Sequence, residues 1–325
     1  MAQQVPLSGA AAEHATHEEY AAGNSQYPDR GAFDRDHLKE SPGFYKRAWR
    51  KLRRDKLAMF GLGMILILGL FSFGAPVVSE LTGFDYATGN YAKTKAPPFE
   101  DTENILGTDD NGRDILTRLA YGGRISMQVA VIALVAALTI GMTVGSAAGY
   151  FGGAIDSILM RFVDVIISIP GITLLLLLSV WIRPGPVGLA FVIAATGWTG
   201  VSRLIRGEVL SLKNRDYIDA ARVMGASNYR IITKHIFPNV VSIVIVWSSL
   251  ALPSLILTEA ALSYLGFGVR IPIPSWGNML DDARGYYMQS WTAAFFPGFM
   301  IFMSALSINL LGNGLRDALD PRLGE

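Results

Sequence analysis

Six apolar runs, each long enough to cross a bilayer, mark this chain as an all-α polytopic membrane protein. Composition agrees: 51% of its 325 residues are hydrophobic, and the mean hydropathy is positive. The basic residues supply the third observation. They gather before the first run and between the fourth and fifth, segments that an even number of spans places on one side. That side is then cytoplasmic, and both termini are expected there. Cysteine is absent, which excludes a disulfide framework and thiolate chemistry. The first apolar run starts near Leu57 behind a polar tail, so no cleavable signal peptide is expected.

Residues 1–42 are rich in Ala, Gly, Ser, Asp, Glu and His without periodicity and are expected to form a disordered cytoplasmic tail. His14 and His17 lack the further ligands that a metal site there would need. Residues 43–56 form an amphipathic interfacial helix. Phe44, Tyr45, Ala48, Trp49 and Leu52 share one face, surrounded by Lys46, Arg47, Arg50, Lys51, Arg53 and Arg54. The region 57–124 holds the first span, 57–78, and a polar external segment with more acidic than basic residues. In that segment Asp109-Asp110-Asn111-Gly112 has the composition of an Asx-type turn, followed by Arg113. Asp114 and Arg118 are spaced for an i, i+4 ion pair.

The second span, 125–150, carries Ala133, Ala137, Gly141, Gly145, Gly149 and, just past its end, Gly153 at steps of four. Small residues so repeated admit another helix to backbone contact, where packing replaces the hydrophobic drive that lipid removes. The stripe drifts by about 40° per step, so a partner from this chain or a second subunit wraps around it. A short inner loop with Asp156, Arg161 and Asp164 leads to the third span, 165–182, kinked at Pro170. After an external turn at 183–186 comes the fourth span, 187–202. Its inner Thr196, Trp198, Thr199 and Ser202 either line a pathway or bond to neighbouring helices. The fifth span, 239–257, has Pro253 inside and Glu259 at its outer end, and a second external block runs through Trp276 to Leu280. The sixth span, 291–311, contains Pro297, and a cytoplasmic tail follows at 314–325.

The polar stretch 208–238 reads as two short helices. Arg215, Asp219 and Arg222 form a charged stripe at i, i+4, i+7, and Tyr217, Ala221 and Met224 an apolar stripe that presses on a neighbour. Gly225 supplies the permissive backbone of a sharp exit, and Ser227 or Asn228 caps the next helix. There Tyr229, Ile232 and Ile236 oppose Arg230, Thr233 and Lys234; Pro238 ends that helix and opens the fifth span. A bent hairpin with small residues at its corner suits a groove on another protein.

Asp219-Ala220-Ala221, three residues, Gly225, and later Phe237-Pro238 resemble the "EAA" cytoplasmic loop of bacterial ATP-binding-cassette (ABC) importer permeases. The run 217–227 is similar to the peptide and nickel branch; 106–114, 121–126 and 261–280 resemble external blocks of peptide permeases, the last in the C permease subunit. Asp219 stands where Glu is usual, and His235 and Phe237 where Ile and Leu are usual. The resemblance implies a type I importer permease of the bacterial inner membrane, with its core at 125–313. It implies that Arg215, Asp219, Ala220, Ala221, Arg222, Gly225, Ala226, Ser227 and Pro238 serve ATPase coupling. Asp109, Arg113, Asp114, Arg124, Glu259 and Trp276 would then lie at the external pore mouth. Implied partners are a homologous second permease, two ATPase subunits carrying ATP and Mg, an extracytoplasmic solute-binding protein and membrane lipids, with no nucleic acid. The implied cargo is di- or oligopeptide, with nickel chelate, glutathione or another small polar solute as alternatives. The residues themselves exclude other engines. No Gly-x-x-x-x-Gly-Lys-Ser/Thr loop occurs, and no expected span holds an ionisable residue in its apolar interior, as ion-coupled carriers do. No cofactor is expected on this chain, and no enzymatic activity.

Overall fold

The computed structural model describes residues 44–100, 102–182 and 185–319. The expected tail with His14 and His17 lies outside the described residues, as do Arg183, Pro184 and 320–325. The chain divides after Lys46, and the packing below concerns the unit from Arg47 onward.

Helix α1 (Phe44–Arg54) spans the amphipathic stretch. Asp55 caps α2 (Lys56–Phe73), its carboxylate accepting from the Leu57 and Ala58 amides at 2.9 and 3.2 Å. The first span is shorter than expected. Gly74 closes α2, and Pro76 in the first turn starts a separate helix, α3 (Ala75–Thr82).

Helix α4 (Ile115–Phe151) begins well before residue 125, because Asp114 caps it by accepting from the Thr117 amide at 2.8 Å. Tyr121–Arg124, expected in the external segment, is therefore helical. Helices α5 (Gly153–Ser168) and α6 (Gly171–Ile182) form a pair bent by 87°, and the break falls at Pro170, where the proline removes a ladder bond. Asp156, Arg161 and Asp164, expected in a loop, lie in α5. Helix α7 (Pro186–Leu212) extends beyond the expected fourth span. There follow α8 (Asp216–Val223), α9 (Asn228–Ile231), a π turn (Ile232–Ile236), α10 (Phe237–Tyr264), α11 (Trp276–Ala283) and α12 (Thr292–Leu319). Residues 314–319, expected in the tail, are the end of α12. Among the described residues five helices are long and apolar enough to span, or six where the bent pair is counted as one span.

The small-residue stripe of α4 finds its partner in this chain. A Cβ on Gly145 would stand 2.5 Å from the Ser202 carbonyl oxygen, and one on Gly149 2.9 Å from that of Arg206. The two backbones touch, and among the described helices α4 and α7 share the most extensive contact. Ala133 and Ala137 continue the stripe, both buried. Gly153 does not belong to it: it opens α5 at φ +53, with nothing within 4 Å of its Cβ position. The polar side chains of α7 serve that helix. Thr199, Ser202 and the Trp198 indole donate to the carbonyls of Thr196, Thr199 and Ala195 at 2.8, 2.7 and 3.0 Å, and all three are buried.

Candidate functional site

Two polar constructions stand at opposite ends of α4, about 55 Å apart at 1.5 Å per residue. The first is a helical knuckle at 216–236. The Gly225 and Ala226 amides fold back to the carbonyls of Arg222 and Ala221 at 2.9 and 3.0 Å, with Gly225 at φ +82. That left-handed corner is the bend expected of glycine. Ser227 is the cap of α9, accepting from the Arg230 amide at 3.3 Å.

The buried faces differ from those expected. Ile218 of α8, with Ile231 and Ile236 beyond the bend, packs against Val209, Leu212 and Tyr150, and Ala221 is buried on the same helix. Tyr217 is exposed, as are Val223, Met224 and Tyr229, at 88%, 81% and 78%. Met224 follows the last residue of α8, so the corner carries it outward, and the i, i+3 pair Ile218/Ala221 takes the inner face instead. The charged stripe reduces to one ion pair, Asp219–Arg222 at 2.8 Å. Arg215 is the N-cap residue, its carbonyl accepting from the Asp219 amide at 3.3 Å. Ala220 lies exposed on α8, and Ala226 is half-buried at the corner. Pro238 does not end the helix before it. The Phe237 amide reaches the Ile232 carbonyl, and this π turn runs α9 into α10 as one stretch, 228–264.

The second construction is a charged cap. Asp109 Oδ1 accepts from the Asn111 and Arg113 amides, both at 2.9 Å, completing the expected Asx turn with Gly112 at φ +72. Its Oδ2 receives Arg113 Nε at 2.7 Å and Arg118 Nε at 3.3 Å. Both guanidinium groups reach on to Asp282 Oδ2 on α11, at 3.6 Å from Arg113 and 3.4 Å from Arg118. The Tyr86 carbonyl accepts from Arg118 at 3.1 Å.

The expected Asp114–Arg118 pair is not formed. Asp114 spends one oxygen on the α4 cap and the other on Asn104 Nδ2 at 3.0 Å, which leaves Arg118 to the distant Asp282. Burial pushes the Asp282 carboxyl up to about 6, against the pull of Arg118 and Arg113. Burial likewise raises the Tyr286 phenol, helped by Asp109 and Asp282.

The residues expected at a pore mouth are mostly interior. Asp109, Arg113 and Asp114 are buried, and Trp276 is fully so, its indole donating to the Leu119 carbonyl at 3.0 Å and its amide to Ser126 Oγ at 3.2 Å. Arg124 is half-buried within α4. Glu259 is fully buried in α10, accepting from Ser263 Oγ at 2.7 Å. Because α10 outlasts the expected fifth span and α4 precedes the expected second, Glu259 and Arg118 are ionisable residues inside long apolar helices, which the sequence reading did not place there.

Residues 141–325 match the family described as binding-protein-dependent transport system inner membrane component. The chain belongs to that family.

Residues 43–98 match the N-terminal TM domain of oligopeptide transport permease C. The Bacillus subtilis oligopeptide transport permease OppC is 41% identical, over 88% of this chain and 92% of its own. The dipeptide transport permease DppC of that organism is 38% identical over 87% of each chain. Escherichia coli OppC is 38% identical over 87% of this chain and 93% of its own. A solved structure of the inward-facing MetNI methionine ABC transporter matches with a TM-score of 0.50 and 18% identity, covering 62% of this chain and 95% of that one. It shows the fold alone. Family members are multi-pass inner-membrane permease components of ABC transporters, and the ATPase is a separate subunit.

Proposed function

We propose that the chain is one of two permease subunits of an importer for di- or oligopeptides, and that the knuckle is where it meets the ATPase. One observation carries the second point. Val223, Met224 and Tyr229 are large apolar side chains at the tip of a short, charged helical corner, each more than three-quarters exposed. Scattered apolar residues are ordinary on a surface, but three on one corner mark a contact. On this reading the corner lies at the cytoplasmic end, which the basic character of α1 and of the 203–234 stretch supports through the positive-inside rule. The cap then faces outward, toward a solute-binding protein.

The cargo reading rests on the relatives named for dipeptide and oligopeptide transport. A glutathione transport permease from Pectobacterium atrosepticum, 36% identical, supports a second reading, glutathione, itself a short peptide. ATP and Mg belong to two ATPase subunits. Their closure pulls the knuckle, and because 228–264 is one helical stretch, the pull enters α10 directly and rocks the spans against a homologous second permease.

The test uses the complete complex in proteoliposomes with Met224→Glu. Solute capture by the binding protein stays unchanged, while stimulated ATP hydrolysis and uptake fall about tenfold or more, as when a central anchor of an interface is made charged. Stimulation at the wild-type level would overturn the reading.

A further inference from the structure

We infer that Tyr150 is a positioning residue for coupling: it clips the two arms of the knuckle together and ties both to α4. The inference rests on the coupling role proposed for the knuckle, and it assigns a part to a residue outside that loop.

A bend at a left-handed glycine is a hinge unless something spans it. Tyr150, in the last turn of α4 and 8% exposed, touches both sides of this one. Its phenol donates to Asn228 Oδ1 at 2.8 Å, and Asn228 is the first residue of α9. Its ring lies under the guanidinium of Arg222, in the last turn of α8, with 5.9 Å from Cζ to the ring centroid. That distance is within cation–π range. Arg222 is held in turn by Asp219 at 2.8 Å. The five residues between these two anchors, 223–227, hold the Gly225 corner.

The root of the clip is fixed as firmly as its tip. The neighbouring Gly149 lies against the α7 backbone, and its carbonyl accepts from Lys213 Nζ at 2.8 Å, just after α7. Tyr150 also belongs to the apolar cluster that includes Ile218, Ile231 and Ile236. A displacement of the knuckle therefore reaches the tightly packed α4–α7 pair through Tyr150. Without the clip it would enter the bundle through the non-directional apolar packing of Ile218, Ile231 and Ile236 on Val209 and Leu212 of α7, and along the chain through the 213–215 turn and the π turn, where backbone bonding is locally weaker. A knuckle free to flex at Gly225 would still let the ATPase turn over, but less of each stroke would reach the spans. Tyr150 on this account sets the ratio of solute moved to ATP hydrolysed.

The experiment measures that ratio in the reconstituted complex with its partner subunits. Tyr150→Phe keeps the ring, its burial and the contact with Arg222 and removes only the bond; Asn228→Ala removes the same bond from the other side. Tyr150→Phe is expected to assemble normally, retain ATP hydrolysis and lower the ratio by about threefold to tenfold, the weight of one hydrogen bond, and Asn228→Ala is expected to lower the ratio by the same factor. The double variant is expected to fall no further than either single one, because both delete one interaction. Tyr150→Leu, which also removes the ring from under Arg222, falls further. A wild-type ratio in Tyr150→Phe, or additive losses in the double variant, would overturn the inference. If Tyr150→Phe fails to assemble, the ratio in Asn228→Ala decides alone. Met224→Glu separates the two levels. If it keeps full stimulated hydrolysis, the coupling reading fails and the clip with it; if it loses hydrolysis while Tyr150→Phe stays tightly coupled, the clip alone fails.

Discussion

In the cap, Arg113 and Arg118 are 4% and 1% exposed and share Asp109 and Asp282 between them. In the knuckle, Asp219 and Arg222 pair in the open, at 61% and 43% exposure. The apolar residues reverse the pattern. Trp276 of the cap is fully enclosed, whereas Val223 and Met224 of the knuckle stand out from it. A buried charge must be answered inside the molecule, and the cap answers its charges with its own chain. The knuckle leaves apolar surface uncovered, and that surface asks for a second protein. The cap pairs its buried charges within this chain, whereas the apolar tip of the knuckle is covered by nothing in it.

This contrast fails first, if it fails, at Arg118. Arg118→Met leaves Asp109 and Asp282 to Arg113 alone and is expected to cost about 3–5 kcal/mol, the loss on breaking a buried pair. Arg222→Met, in the exposed pair, is expected to cost about 0–1 kcal/mol. Thermal unfolding of the two variants in detergent makes the comparison, and equal losses would remove the distinction between the ends.

A smaller effect sharpens the same contrast. The folded Asp282 carboxyl sits near 6, above the roughly 3.9 of an unfolded aspartate, so the folded chain binds this proton more tightly. Its contribution to stability is full below about pH 4 and is lost as the pH rises through about 6. Lowering the pH from about 7 to about 5 should raise the melting temperature more in the native chain than in Asp282→Asn, measured side by side. An identical pH response in both would show that Asp282 is not the group responsible.

Much of this was legible in the sequence, where local rules had no competitor. The Asx turn at Asp109–Gly112, the corner at Gly225, a cap at Ser227 or Asn228, the break at Pro170 and the stripe from Ala133 to Gly149 each follow from a few neighbouring residues. The misreadings arose where two local rules compete or where the partner is far away. Asp114 had two uses, and capping α4 prevailed over pairing with Arg118. The true partner of Arg118, Asp282, is 164 residues distant, and no spacing announces it. Both Tyr217/Ala221/Met224 and Ile218/Ala221 are plausible apolar faces of an eight-residue helix, and only the position of α7 and Tyr150 selects the second. Helix ends were missed for a similar reason: α4 and α10 continue past their most apolar stretches because Asp114 caps one and the π turn carries the other past Pro238.

The central claim, that the knuckle is the end completed by the ATPase, is tested most directly by amide hydrogen exchange at 216–231, in the permease pair alone and in the full complex. The account predicts that these amides slow markedly on assembly with the ATPase while those of 276–283 in the cap keep their rates. Unchanged exchange at 216–231 in a complex that assembles and hydrolyses ATP would contradict it.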